Sequence, residues 1–73
     1  MIPLSQLSVG QRAFISKIEG DRSILRRLLS LGIRVGSEVE VLQWRPSGVV
    51  LANANNRVAL SGNLVPSLLM TAA

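Results

Sequence analysis

The sequence predicts a mainly β fold, a small SH3-like barrel of about five strands with one short α-helix between the first two strands. Three observations carry that expectation. Short apolar runs bounded by Gly, Pro, Asn and Ser recur along the chain at strand-like lengths. Only one stretch, residues 22–31, places its apolar side chains at helical spacing. A chain of 73 residues with no cysteine and no histidine must hold a small core by aliphatic packing, without a disulfide or a structural zinc site. A five-stranded OB-type barrel is the competing topology, although its helix usually sits between later strands.

Each element has a local reason. Leu4 and Leu7, interleaved with Ser5, Gln6 and Ser8, read as an entry segment that tucks two leucines against the core and turns at Gly10. Residues 12–19 form the first expected strand, with Phe14, Ile15 and Ile18 as buried positions. Its alternation is imperfect, as in a curved strand that meets two environments. Gly20-Asp21-Arg22-Ser23 supplies helix-start chemistry, because Asp21 or Ser23 can accept from a free backbone N–H. The helix runs from about Arg22 to Leu31 and stops at Gly32, a position that commonly needs positive φ.

Ile33 to Gly36 connects to a strand over Ser37–Trp44, where Val39 and Val41 point one way and Glu38, Glu40, Leu42 and Trp44 the other. Pro46-Ser47-Gly48 is a turn. Val49–Asn53 and Arg57–Leu60 form a hairpin around Ala54-Asn55-Asn56, with asparagine suited to left-handed backbone. Val65–Met70 is the last expected strand, and Pro66 places it at a strand start or sheet edge. Thr71-Ala72-Ala73 is expected to fray. Residues 1–73 read as one domain.

The residue types exclude much chemistry. Without His or Cys there is no soft metal site and no thiol or Ser–His nucleophile. No phosphate-binding glycine loop precedes a lysine, and the only lysine, Lys17, lies within a strand. The expectation is therefore no catalytic residue, no metal ligand set, no cofactor and no small-molecule substrate. Glu38 with Glu40, or Glu19 with Asp21, could offer oxygens to a hard cation. Two carboxylates cannot complete a ferrous site without other ligands, and the plain reading is solvated edge acids with Asp21 as a helix cap.

Binding chemistry is better supplied. Charged residues make up 16% of the chain, against the roughly 25% usual in soluble domains, so part of the surface must be apolar. The net charge is +4 and seven of the eight basic residues are arginine, which suits anionic partners. Nucleic acid is one such partner, but a single Trp and a single Phe make a poor stacking platform. Arg22, Arg26 and Arg27 cluster on the helix, either as a solvated face or as groups reaching into a partner's nucleotide site. On that helix Leu31, Ile24, Leu28, Leu25 and Leu29 span an arc of about 160°, wider than a core-facing stripe needs. Ile24, Leu28 and Leu31 would face the barrel. Leu25 and Leu29 are then either covered by Leu4 or Leu7 or left as a docking edge beside Arg26 and Arg27. Trp44 is a second docking candidate or a lid on the barrel.

In order and spacing, Leu4-x-x-Leu7-x-x-Gly10, Ala13-x-Ile15, Arg27-Leu28-x-x-Leu31-Gly32-Ile33-x-x-Gly36, Val39-x-Val41 and Val58-Ala59-Leu60 resemble the FeoA family from about Leu4 to Met70. The sharpest piece crosses the helix end, where Gly32 caps and Gly36 turns into the next strand. The resemblance implies an SH3-like barrel acting beside FeoB, the membrane ferrous-iron transporter with a cytosolic G domain, as a non-enzymatic accessory protein that binds and regulates it. Three pieces depart from the family pattern: Arg45-Pro46-Ser47-Gly48 replaces an A-P-L-G-D-P turn, Ser61 stands where a basic residue is common, and Leu64-Val65 replaces an acid–alanine pair.

No apolar run reaches the ~20 residues that cross a bilayer, and the N-terminus lacks signal-peptide features, so the expected location is cytoplasmic. An edge strand and few charges also invite a homo-oligomer.

Overall fold

The computed structural model describes residues 1–73, and its chain order is built from six strands, one α-helix and two 3-10 turns. The strands are β1 (Ile2–Pro3), β2 (Arg12–Ile18), β3 (Glu38–Arg45), β4 (Gly48–Asn53), β5 (Asn56–Ser61) and β6 (Leu68–Ala72). The helix α1 (Arg22–Ser30) lies between β2 and β3, and the 3-10 turns cover Leu4–Gln6 and Val65–Ser67. All neighbouring strands are antiparallel in the order β1-β6-β2-β3-β4-β5. β1 and β5 are the two edges and do not pair with each other, so the sheet is not closed by hydrogen bonds.

The core is one aliphatic cluster of 16 buried side chains on the inner face. Leu4 and Leu7 enter it as expected, and Ile33 of the connector is as fully enclosed as any strand residue. Two β-bulges shape the inner face. One lies between Ile15 and Lys17 of β2, the other between Val41 and Gln43 of β3. A bulge inserts one residue and reverses the side-chain parity beyond it. In β2 this returns Ile18 to the inner side opposite Leu68, so Ile15 and Ile18 both meet the core although they are three residues apart. Before the bulge the alternation is regular, and it corrects one expectation: Ala13 and Ile15 point inward, whereas Phe14 is 41% exposed on the outer face.

The C-terminal segment also differs from expectation. Pro66 belongs to a 3-10 turn, not a strand, because its ring fixes φ and removes a ladder donor. The last strand therefore starts at Leu68 and extends to Ala72. Thr71 and Ala72 do not fray, since they stand opposite Phe14 and Ala13 of β2. The β4–β5 hairpin closes with Asn53 opposite Asn56 around a two-residue loop. Its left-handed residue is Ala54, at φ 57°, and neither asparagine takes that role.

Candidate protein-docking site

The helix begins and ends on recognisable chemistry. Asp21 Oδ1 accepts from the Ile24 N–H at 3.0 Å, which satisfies one orphan donor of the first turn. At the other end the Gly32 N–H donates to the Leu29 carbonyl at 3.0 Å and the Ile33 N–H to the Leu28 carbonyl at 2.9 Å. Those two bonds, with Gly32 at φ +82°, make a Schellman motif. The apolar contact that accompanies this motif joins Leu28 to Ile33, and both are completely buried. Asn53 Nδ2 donates to the Gly32 carbonyl at 2.8 Å and ties the turn to β4. The run Leu28-x-x-Leu31-Gly32-Ile33 is thus an anchored helix stop.

That stop sets the orientation of α1. Leu28 is its only fully buried side chain, and Ile24 is partly buried against the core. Leu31 does not face the core as expected; it caps the helix and is 36% exposed. Leu4 and Leu7 are committed to the core cluster and leave Leu25 and Leu29 uncovered, at 36% and 56% exposure. Leu25 and Leu29 are four residues apart and adjoin Arg22 and Arg26 at helical spacing, so the four side chains share one surface strip. Arg27 lies further round the helix, in its last turn, where positive charge meets the negative end of the helix dipole favourably. Val35, 59% exposed, adds apolar surface just beyond the helix end.

The charges on this strip are free. The two ion pairs of the molecule join Arg12 to Glu40 at 3.1 Å across β2 and β3, and Lys17 to Glu19 at 3.6 Å. Asp21 caps the helix, and Glu38 and Glu40 lie two residues apart on β3, lining one depression with Arg12. No cluster of three or more His, Cys, Asp or Glu side chains is assembled that could hold a metal ion. No helix is long and apolar enough to cross a membrane.

Trp44 is not on the outer face with Glu38 and Glu40, as the simple alternation expects. The β3 bulge turns it inward opposite Val49, where it packs against the core. Its Nε1–H donates to the Leu7 carbonyl at 2.8 Å and holds the entry segment down. Of the two readings, the lid describes its position. Trp44→Phe should cost about 1–2 kcal/mol, because it keeps the ring but leaves the Leu7 carbonyl without this donor. The check is a thermal melt, in which the midpoint should fall by about 4–8 °C per kcal/mol. An unchanged midpoint would mean that water replaces the indole without loss.

A family model described as FeoA domain matches residues 2–65 of the chain. A protein of Methanocaldococcus jannaschii named as a candidate Fe(2+) transport protein A is 25% identical over 70 residues, covering 96% of this chain and 85% of its own length. Among solved structures, the crystal structure of an iron uptake regulatory protein (FeoA) superposes with a TM-score of 0.86 at 24% identity, covering 94% of this chain and 93% of that one. The solution structure of a FeoA protein from Chlorobium tepidum gives 0.86 at 22% identity, covering 97% of this chain and 70% of that one. A manganese-dependent transcriptional repressor in complex with manganese gives 0.92 at 21% identity, covering 97% of this chain but 36% of that one. These likenesses place the fold among the SH3-like FeoA structures rather than the OB-type alternative.

Proposed function

The chain belongs to the FeoA domain family, and from that premise we propose that it is a non-enzymatic accessory protein of ferrous-iron uptake. It acts in the cytoplasm, binds a FeoB-type transporter through protein contacts and regulates it. The name of the Methanocaldococcus jannaschii relative supports the iron connection. The observation that carries the contact is the uncovered pair Leu25 and Leu29 beside Arg22 and Arg26 on α1. Apolar side chains rimmed by charge are the usual composition of a protein-docking patch. Iron enters this account through the partner and not through a ligand of this chain.

The test is a titration of the chain against the cytosolic domain of a FeoB-type transporter. Leu25→Glu and Leu29→Glu together should weaken binding at least about tenfold, a loss of about 1.4 kcal/mol or more. Because both side chains are exposed, stability should move by only about 0.5 kcal/mol. Ferrous-iron uptake in cells carrying the double variant should fall in parallel. Wild-type binding by a folded double variant would remove this face from the contact.

A further inference from the structure

The outer face of β3, β4 and β5 carries a second surface, to which no residue of α1 contributes. Beyond the β3 bulge, Gln43 stands opposite Val50 and Arg45 opposite Gly48, and β5 continues the two rows with Ala59 and Ser61. The small residues of β4 and β5 leave this face low. An open trough of about 490 Å³ is bounded by Leu42, Gln43, Arg45, Val50, Arg57 and Ala59. A second depression of about 290 Å³ shares Arg45, Val50 and Ala59 with it and continues over Gly48 and Ser61. Arg45 donates from Nε and Nη2 to Gln43 Oε1, at 3.4 Å each, which steadies the guanidinium beside the trough. Neither Arg45 nor Arg57 has a carboxylate within ion-pair distance, and no acidic residue lines either depression.

We propose that this trough binds an extended acidic segment of a protein partner, with its carboxylates on Arg45 and Arg57 and small side chains against Val50 and Ala59. The charge selects carboxylates, for which the guanidinium fork is the matching donor. The apolar floor, continued over two adjoining depressions that share Arg45, Val50 and Ala59, selects a peptide over a free anion. Nucleic acid would want an aromatic platform, but Trp44 is turned to the core and Phe14 lies on β2. The surface is independent of the helix strip, so one chain can hold two partners at once, as an adaptor must.

The test is an amide-shift titration of the ¹⁵N-labelled chain with an acetylated ten-residue peptide repeating Glu-Glu-Val-Val, which in extended form presents both residue types on each face, and with the matching Lys-Lys-Val-Val peptide. Saturable shifts are expected at residues 45–50 and 57–61 with the acidic peptide alone, and they should weaken as salt is raised. The double variant Arg45→Gln/Arg57→Gln should bind about tenfold more weakly. Ala59→Glu, which sets a carboxylate in the trough, should weaken binding similarly and covers the case in which the arginine variant does not fold. Leu29→Glu should leave the titration unchanged, which separates this surface from the transporter contact. The proposal is overturned by equal binding of the lysine peptide, by shifts confined to α1, by no saturable shift, or by wild-type affinity in the folded variants. Shifts at the same residues with oligo-thymidine but not with the acidic peptide would overturn it in favour of nucleic acid.

Discussion

Gly48→Ala is expected to lower the unfolding free energy by about 3 kcal/mol or more, combining an overpacked contact with backbone displacement. Gly48 opens β4 just after the Pro46-Ser47 loop and is paired on both sides, with Arg45 of β3 and Ser61 of β5. A Cβ there would overlap the Leu60 carbonyl oxygen, and its next neighbours are also backbone atoms of Leu60 and Ser61. Flexible side chains can swing aside, but a paired strand cannot. A chain of this length has only about 4–11 kcal/mol of stability in total. The midpoint of thermal unfolding should therefore fall by at least about 12 °C. Gly36→Ala is the control: its Cβ meets nothing within 4 Å, so only its positive φ opposes the change. That strain is worth about 1 kcal/mol. Melts of the two variants followed by circular dichroism decide the matter. If Gly48→Ala were as mild as Gly36→Ala, β4 and β5 would not approach as closely as described.

Leu28→Ala should cost about 3–4 kcal/mol, within the range for removing a fully enclosed leucine from a core that cannot collapse around the gap. Leu28 does two things at once. It is the one fully buried side chain of α1, and it is the contact through which the Schellman stop meets Ile33. Its loss should therefore loosen the helix as well as lower global stability. Hydrogen exchange is the discriminating measurement: amides of α1 should lose more protection than those of β3 and β4. Leu25→Ala and Leu29→Ala on the same helix should each shift stability by only about 0.5 kcal/mol, since both are exposed. Equal costs at Leu25, Leu28 and Leu29 would mean that α1 is buried differently from the arrangement described.

Much of this architecture is legible in the residues alone. The helix limits were legible because Asp21 and Gly32 act within four residues of themselves, through a cap bond and a left-handed turn. β3 and β5 are legible because Val39, Val41, Val58 and Leu60 alternate locally with polar or small residues, and β4 because Val49-Val50-Leu51 is a short apolar run bounded by Gly48 and Asn53. Leucines 25 and 29 stood out because the apolar arc was wider than the helix needed. Whether anything covered them was not legible, as that depends on where Leu4 and Leu7 go after the chain has folded.

What local spacing leaves open is where distant strands shift against one another. Simple alternation places Trp44 on the outer face, but a bulge at Val41–Gln43 reverses parity, and no local residue pattern announces that insertion. The same blindness applies to the trough, whose lining joins β3, β4 and β5 across rows that the register sets on either side of that bulge, with Arg45 beyond it and Arg57 before it. β1 escaped notice because two residues make no periodic signal and are strand only through pairing with β6. Thr71 and Ala72 are ordered for the same reason, by β2.

The sequence by itself determined the mainly β composition, the helix with its cap and stop, the aliphatic core, the surplus of arginine and the family resemblance. Each of these is a property of residue type and short-range spacing. The tertiary structure alone decided the face on which Trp44 lies, the uncovered state of Leu25 and Leu29, and the meeting of Arg45 and Arg57 around one trough. These depend on strand register and on bulges, which distant segments set together when they compete to bury the same core.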